Sequence, residues 1–132
     1  PHEDVEFESG KWNVRQSEAP KIDATLALLT EKLRRYGGLV RLQLFVVGYT
    51  DTVGSKVSNR ELSEKRARSI AAYFRRSGIR LPIYYQGFGE DVLAVKTPDE
   101  TDEAKNRRAV YILAGSPPES QASIPRAAWK RL

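Results

Sequence analysis

Cysteine and methionine are both missing from these 132 residues, and histidine occurs once, at His2. The first absence excludes disulfides, thiolate nucleophiles and cysteine-ligated metals, although it fixes no compartment. The second means that translation did not start at Pro1. The chain therefore reads as a processed product or an excised domain, with a signal, a lipid-bearing segment or a membrane anchor expected upstream. One histidine near a terminus cannot serve a serine triad in the body of the domain or a histidine-rich zinc site. No apolar run approaches the roughly 20 residues that cross a bilayer, and the N-terminus lacks the basic and apolar stretches of a signal peptide.

Hydrophobic residues make up 40% of the chain and charged residues 30%, which suits one soluble domain with one core. The net charge of +5 and the pI near 9.6 favour anionic partners: nucleic acid, acidic lipid or an anionic wall polymer. A merely well-solvated surface would give the same numbers.

Residues 4–8 alternate polar and apolar and predict a short strand. A helix is expected from about Ser17 or Pro20, with Ile22, Leu26, Leu29 and Leu33 on one stripe and Gly37 and Gly38 closing it. Leu39–Tyr49 is apolar on both sides towards its end, the mark of a central strand. A second helix is expected to start at Ser58, where Ser58 and Glu61 spell a capping box and Val57 and Leu62 a hydrophobic staple; Gly78 marks its end. Glu61–Lys65 and Glu64–Arg68 are spaced as ion pairs on its solvated side. Ile83–Gln86 and Arg108–Ala114 read as strands, with polar chain and a short helix around Glu100–Asn106 between them. From Gly115 the composition turns to Gly-Ser-Pro-Pro, so residues 1–115 are expected to form the domain and 116–132 a mobile tail whose Trp129 docks back or meets a partner. The order β-α-β-α-β-β implies an α/β fold with helices packed on one face of a mixed parallel and antiparallel sheet.

One charge in the second helix sits on the wrong side. On a helical wheel with Leu62 at zero, Tyr73, Ile70 and Phe74 span an arc from about 20° to 120°. Arg66 and Asn59 fall inside that arc; the other charges fall outside it. A buried arginine needs an anionic partner or a route to solvent. Asp51, at the end of the central strand, is the candidate, and Ser58 as cap would put Asn59 in a first turn whose free amides favour an anion. Two readings stay open on these grounds. Asp51 and Arg66 form an internal bridge, or they form a two-pronged site for a zwitterion, the carboxylate taking an ammonium and the guanidinium a carboxylate.

The segment Gly48–Ala67, GYTDTVGSKVSNRELSEKRA, resembles the pattern G-H-T-D-x-x-G-x-x-x-x-N-x-x-L-S-x-x-R-A of the OmpA C-terminal-like family, which includes OmpA-, Pal- and MotB-like peptidoglycan-binding domains. Thr50, Asp51, Gly54, Asn59, Leu62, Ser63, Arg66 and Ala67 all match at the same spacing, and GFGED (Gly87–Asp91) and NRRAV (Asn106–Val110) resemble two later family segments. The resemblance covers about Val5–Ala114. It implies non-enzymatic, non-covalent anchoring to the cell wall in the periplasm of a diderm bacterium, with no cofactor and no metal. Asp51 and Arg66 would hold the ammonium and carboxylate of the diaminopimelate residue in the stem peptide. Asn59, Arg107, Thr50 and Gly10 would complete the contact set, with Phe7 to Gly10 as its rim. A membrane would be reached only through an upstream segment, and a homodimer is left open. Three departures stand out. Tyr49 replaces the family's histidine; Ala109, before Val110, implies a local shift of register; and Gly10 stands where relatives often carry a polar residue, implying a weaker first-strand contact.

Other signals are weaker. Residues 86–92 echo the RNA-recognition signature, but Gln86 replaces its basic residue and Glu90 its stacking aromatic. The same glycines fail the dinucleotide pattern, because residue 92 is valine. Asp99, Glu100, Asp102 and Glu103 lack the spacing of a calcium loop. Asp51 with Glu8 could be imagined as a hydrolytic pair, but an arginine beside a carboxylate favours the charged form, which cannot donate a proton.

Overall fold

The computed structural model describes residues 4–36, 41–125 and 128–132. Five strands form one mixed sheet in the order β1-β4-β2-β3-β5. They are β1 (Asp4–Glu6), β2 (Gln43–Gly48), β3 (Ile83–Gly87), β4 (Arg108–Ala114) and β5 (Lys130–Arg131), with helices α1 (Ala19–Tyr36) and α2 (Lys56–Arg76) and a 3-10 turn at Ala104–Asn106. β2 and β3 run parallel, joined through α2; β4 lies antiparallel between β1 and β2. The expected α/β class, the helix order and the bounds of the Arg108–Ala114 strand all hold. Gly37, Gly38, Leu39 and Val40 lie outside the described residues; of the strand expected over Leu39–Tyr49, Arg41 and Leu42 are not paired and β2 spans Gln43–Gly48. The register of β4 runs without interruption from Glu6↔Arg108 to Asp4↔Val110 on one side and through Gly48↔Ala109 on the other, so Ala109 causes no shift.

Between the helices and the sheet lies the main core: Val5, Phe7, Ile22, Leu44, Val46, Ile70 and Phe74, all within 2% of complete burial. The stripe expected on α1 is there, with Ile22 and Leu29 buried and Leu26 and Leu33 packed against them. On α2 the buried face is turned towards small residues, Ser63, Ala67 and Ala71, leaving Leu62 and Tyr73 half-buried. The cause is a close crossing. A Cβ on Gly48 would lie 1.9 Å from the Ser63 carbonyl oxygen, and one on Gly87 would lie 2.2 Å from the Ser63 hydroxyl. Two glycines on adjacent strands thus let the helix backbone down onto the sheet, and only small side chains fit beneath it.

The start of α2 corrects the sequence reading. The cap is Ser55, whose hydroxyl accepts from the Ser58 amide at 3.1 Å, one turn earlier than expected. Val57 is 73% exposed and makes no staple. The other end is as expected. Gly78, at φ +100°, closes a Schellman motif in which its amide donates to Arg75 O and the Ile79 amide to Phe74 O.

The segment beyond Gly115, expected to be mobile, returns to the sheet at Ile124 and at residues 129–132. β5 pairs with β3, Trp129 meets the Phe45 ring edge-on at 5.1 Å, and Ile124 is buried against Val47, Tyr49 and Phe88. Lys130 donates to Glu64 at 2.6 Å, displacing the expected Glu64–Arg68 pair. The physical reason is β2 itself: a strand apolar on both sides must be covered twice, and the tail supplies the second cover.

Tyr49 locks this arrangement. Its hydroxyl donates to Ser123 O at 2.6 Å and its ring lies 4.1 Å from the Arg108 guanidinium carbon. Burial pushes its pKa up from 10.0 to about 12, with Arg108 opposing. A raised folded-state pKa favours the neutral phenol, so this stabilisation is complete below about pH 10 and is lost as pH rises through about 12. Tyr49→Phe is expected to cost about 1 kcal/mol at neutral pH. It should also remove on the order of 2–3 kcal/mol of alkaline destabilisation. Urea unfolding of both proteins at pH 8 and pH 11 checks this, with about half of the alkaline loss, roughly 1.4 kcal/mol, reached by pH 11.

Candidate functional site

Beyond Gly48 the chain leaves β2 but stays pinned: the Tyr49 amide donates to Arg108 O at 2.8 Å and the Thr50 amide to Gly89 O at 2.9 Å. Thr50 is buried with its hydroxyl on the carbonyl of Asp51. These bonds hold Asp51, only 4% exposed, where the strand end meets the start of α2. Its Oδ1 accepts from the Val53 amide at 3.2 Å, and its Oδ2 accepts from Arg107 at 3.0 Å and from the Glu103 amide at 3.4 Å.

The ion-pair partner of Asp51 is therefore Arg107 and not Arg66. Arg107 also pairs with Asp102 and donates through Nε to Phe7 O at 2.9 Å. Burial lowers its pKa, but the hydrogen bonds to Asp51 and Asp102 outweigh that and raise it. The wheel could not have found this pairing, since 56 residues separate the partners. The NRRAV doublet was its only trace in the sequence.

Arg66 is completely buried. Its Nε donates to Lys11 O at 2.8 Å, Nη1 to Tyr49 O at 3.0 Å and Nη2 to Glu8 O at 3.1 Å. Burial pushes its pKa down to about 10, Asp51 raises it and Arg107 lowers it further, so the guanidinium stays charged at neutral pH. Arg66 does not stand free: three main-chain carbonyls occupy its donors. Arg66 ties the 8–11 loop to the end of β2, and that loop closes over it. The alternative of a direct Asp51–Arg66 bridge is corrected.

Asn59 is also an organiser. Its amide donates to Ser55 O, so it offers no free first-turn donor, and its side-chain nitrogen donates to Val53 O at 2.9 Å, Glu90 Oε1 at 3.0 Å and Asp51 O at 3.4 Å. Ser63 accepts from the Gly89 amide at 2.8 Å and donates to Arg60 O, joining the first motif to the GFGED turn. Gly54 turns at φ +92° against the Asn59 side chain, Ser58 sits in the exposed first turn, and Glu61 is exposed.

Asp51 opens onto a depression of about 360 Å³ between the loop at Gly10 and Trp12 and the start of α2, with Asn59, Glu61 and Lys65 on its walls. Leu62 lines it too. Thr50, Arg66 and Arg107 do not line it. Trp12, which sequence reading did not single out, is 46% exposed and has Lys65 Nζ 4.5 Å from its ring centre. Beyond Gly54 a shallower depression of about 860 Å³ carries Glu90, Asp91, Asp99 and Glu100. Among the described residues no group of three His, Cys, Asp or Glu side chains is set to hold a metal ion.

A family model described as "OmpA family" matches residues 6–107. The chain belongs to the OmpA family. Outer membrane protein P5 of Haemophilus influenzae is 33% identical over 111 residues, which is 81% of this chain and 28% of that protein. Outer membrane protein A of Serratia odorifera is 35% identical over 88 residues, 66% of this chain and 34% of that protein. The chain thus spans about a third of the length of each of these two relatives. Among solved structures, the peptidoglycan-associated lipoprotein from Burkholderia pseudomallei superposes with a TM-score of 0.70 at 20% identity, covering 84% of this chain and 89% of that one. The C-terminal domain of Helicobacter pylori MotB gives 0.65 at 18% identity, covering 86% and 85%. At these identities the structural likeness establishes the fold of this OmpA-family domain. Among the described residues no helix is long and apolar enough to cross a membrane.

Proposed function

We propose that this domain binds peptidoglycan without turning it over and tethers a longer outer- or inner-membrane protein to the wall, in the periplasm of a diderm bacterium. The observation that carries this reading is the Asp51 carboxylate lining an open depression, within an OmpA-family motif that departs from the pattern only at Tyr49. The solved relative named a peptidoglycan-associated lipoprotein points the same way.

The guest is the diaminopimelate residue of a stem peptide, its ammonium on Asp51 Oδ1, which accepts a single bond from the protein. Gly10 forms the rim, and Asn59 and Thr50, which donate to the Asp51 main-chain carbonyl, hold that residue in place. Arg107 stands behind Asp51 and fixes its orientation. Arg66 reaches the guest's carboxylate by exchanging the carbonyls of Glu8 and Lys11 for it. A charged acceptor makes the stronger bond to a guanidinium, which favours that exchange. A few charged hydrogen bonds, less the ordering cost, give roughly micromolar affinity for one stem peptide. Many copies on one sacculus then hold by avidity.

Calorimetric titration with a diaminopimelate-type muropeptide and its lysine-type counterpart tests the reading. The first should bind at roughly micromolar concentration and the second, lacking one carboxylate, at least about tenfold more weakly. Equal affinity for both, release of soluble muropeptides from sacculi, or preference for an oligonucleotide would each count against it.

A further inference from the structure

Three depressions follow one another along the outward side of α2, and Trp12 forms part of the wall of all three. The first is the Asp51 depression. The second, of about 160 Å³, lies between Trp12, Lys65 and Arg68, and the third, of about 440 Å³, between Trp12, Tyr73 and Arg76. Lys65 borders the first and second, and Ser69 the second and third, so together they make one groove. Leu62, Lys65, Ser69, Tyr73 and Arg76 line it on successive turns. At 1.5 Å per residue it runs for about 20 Å. That is the length of about six extended residues.

The charge along the groove changes sign. Asp51 and Glu61 stand at one end, whereas the second and third depressions are lined by Lys65, Arg68 and Arg76 with no acidic side chain among their described lining residues. Glu64, which could have neutralised Arg68 from one turn away, is taken by Lys130 at 2.6 Å, and among the described residues Arg68 has no ion-pair partner. Asp23 lies near the far end, where it accepts the Tyr73 hydroxyl at 2.7 Å and keeps its own negative charge. Trp12 keeps nearly half its surface in water and, among the described residues, is the one aromatic side chain that ranks with the exposed large hydrophobics.

We propose that this groove is a second subsite for the same ligand: it takes the carboxylate-bearing remainder of the wall peptide, with free carboxylates on Arg68 and Arg76 and the aliphatic chain over Trp12. The proposal rests on the reading that Asp51 holds the diaminopimelate ammonium. It gives the cations of the outward face of α2 a role in specificity that the Asp51 depression alone does not need.

The test is titration of the full 132-residue chain with free diaminopimelate and with the whole diaminopimelate-type muropeptide, for wild type and for the double variant Arg68→Glu/Arg76→Glu. Both positions are exposed, so the fold tolerates the change. The wild type should prefer the muropeptide by about tenfold or more. The double variant should keep its affinity for diaminopimelate and lose that preference, and Trp12→Ala should reduce it. A preference that survives the double reversal, or equal wild-type affinity for the two compounds, overturns the groove while leaving Asp51 as the anchor. Failure of the anchor itself looks different: neither compound binds the wild type, and the groove proposal falls with it.

Discussion

Asp51→Asn releases this domain from purified sacculi, with affinity for the diaminopimelate-type stem peptide falling between about tenfold and a hundredfold, the value of one charge-assisted hydrogen bond. The substitution is nearly isosteric. It keeps an oxygen for the Val53 amide but turns an amide NH2, itself a donor, towards Arg107 and the Glu103 amide, both of which had donated to Oδ2. Arg107 retains Asp102 and the carbonyl of Phe7, and Asp102 is open to solvent, so the arginine is not stranded. The stability cost is expected to be about 1–2 kcal/mol. A sacculus pull-down beside a thermal melt separates the two effects. Unchanged pull-down in a folded Asp51→Asn protein would remove the anchor from the proposed mechanism.

Arg66→Ala, in contrast, unfolds rather than merely unbinds. The guanidinium is fully buried and donates to three main-chain carbonyls, those of Glu8, Lys11 and Tyr49. Truncation strands these acceptors, at about 1–3 kcal/mol each when no water replaces the donor. A cavity left by so large a side chain admits water and recovers part of that loss. The net expectation is a loss of about 3–5 kcal/mol. The melting temperature should fall by on the order of 10 °C or more. Arg66→Lys keeps a charge but cannot present three divergent donors, so it recovers only part of the stability. Urea unfolding of both variants measures this directly. An Arg66→Ala protein that melts like the wild type yet no longer binds sacculi would show that the guanidinium serves the guest while its bonds to the loop carry little stability.

Much of this architecture follows from local rules. Helical spacing identified the buried stripe of α1, alternation identified β1, and the bounds of β4 could be read to the residue. The family pattern picked out Asp51, Asn59, Ser63 and Arg66, all of which are buried at one junction. Even the misplaced charge on the wheel was a true signal, because Arg66 does lie inside.

Only the tertiary structure decided whom these groups meet. Two serines three residues apart could each cap α2, and the choice fell to Ser55, where Gly54 turns and Asn59 reaches back to Val53. The tail reads as mobile from its Gly-Ser-Pro-Pro beginning, yet Ile124 and Trp129 further along cover the second face of β2. Asp51 found Arg107 rather than Arg66 because the sheet register brings the start of β4 beside the end of β2, while the loop after β1 claims Arg66 with its carbonyls. Periodicity and capping act over a few residues and are written in the chain. The partner of a buried charge is set by strands distant in sequence, and it exists only once the sheet has closed.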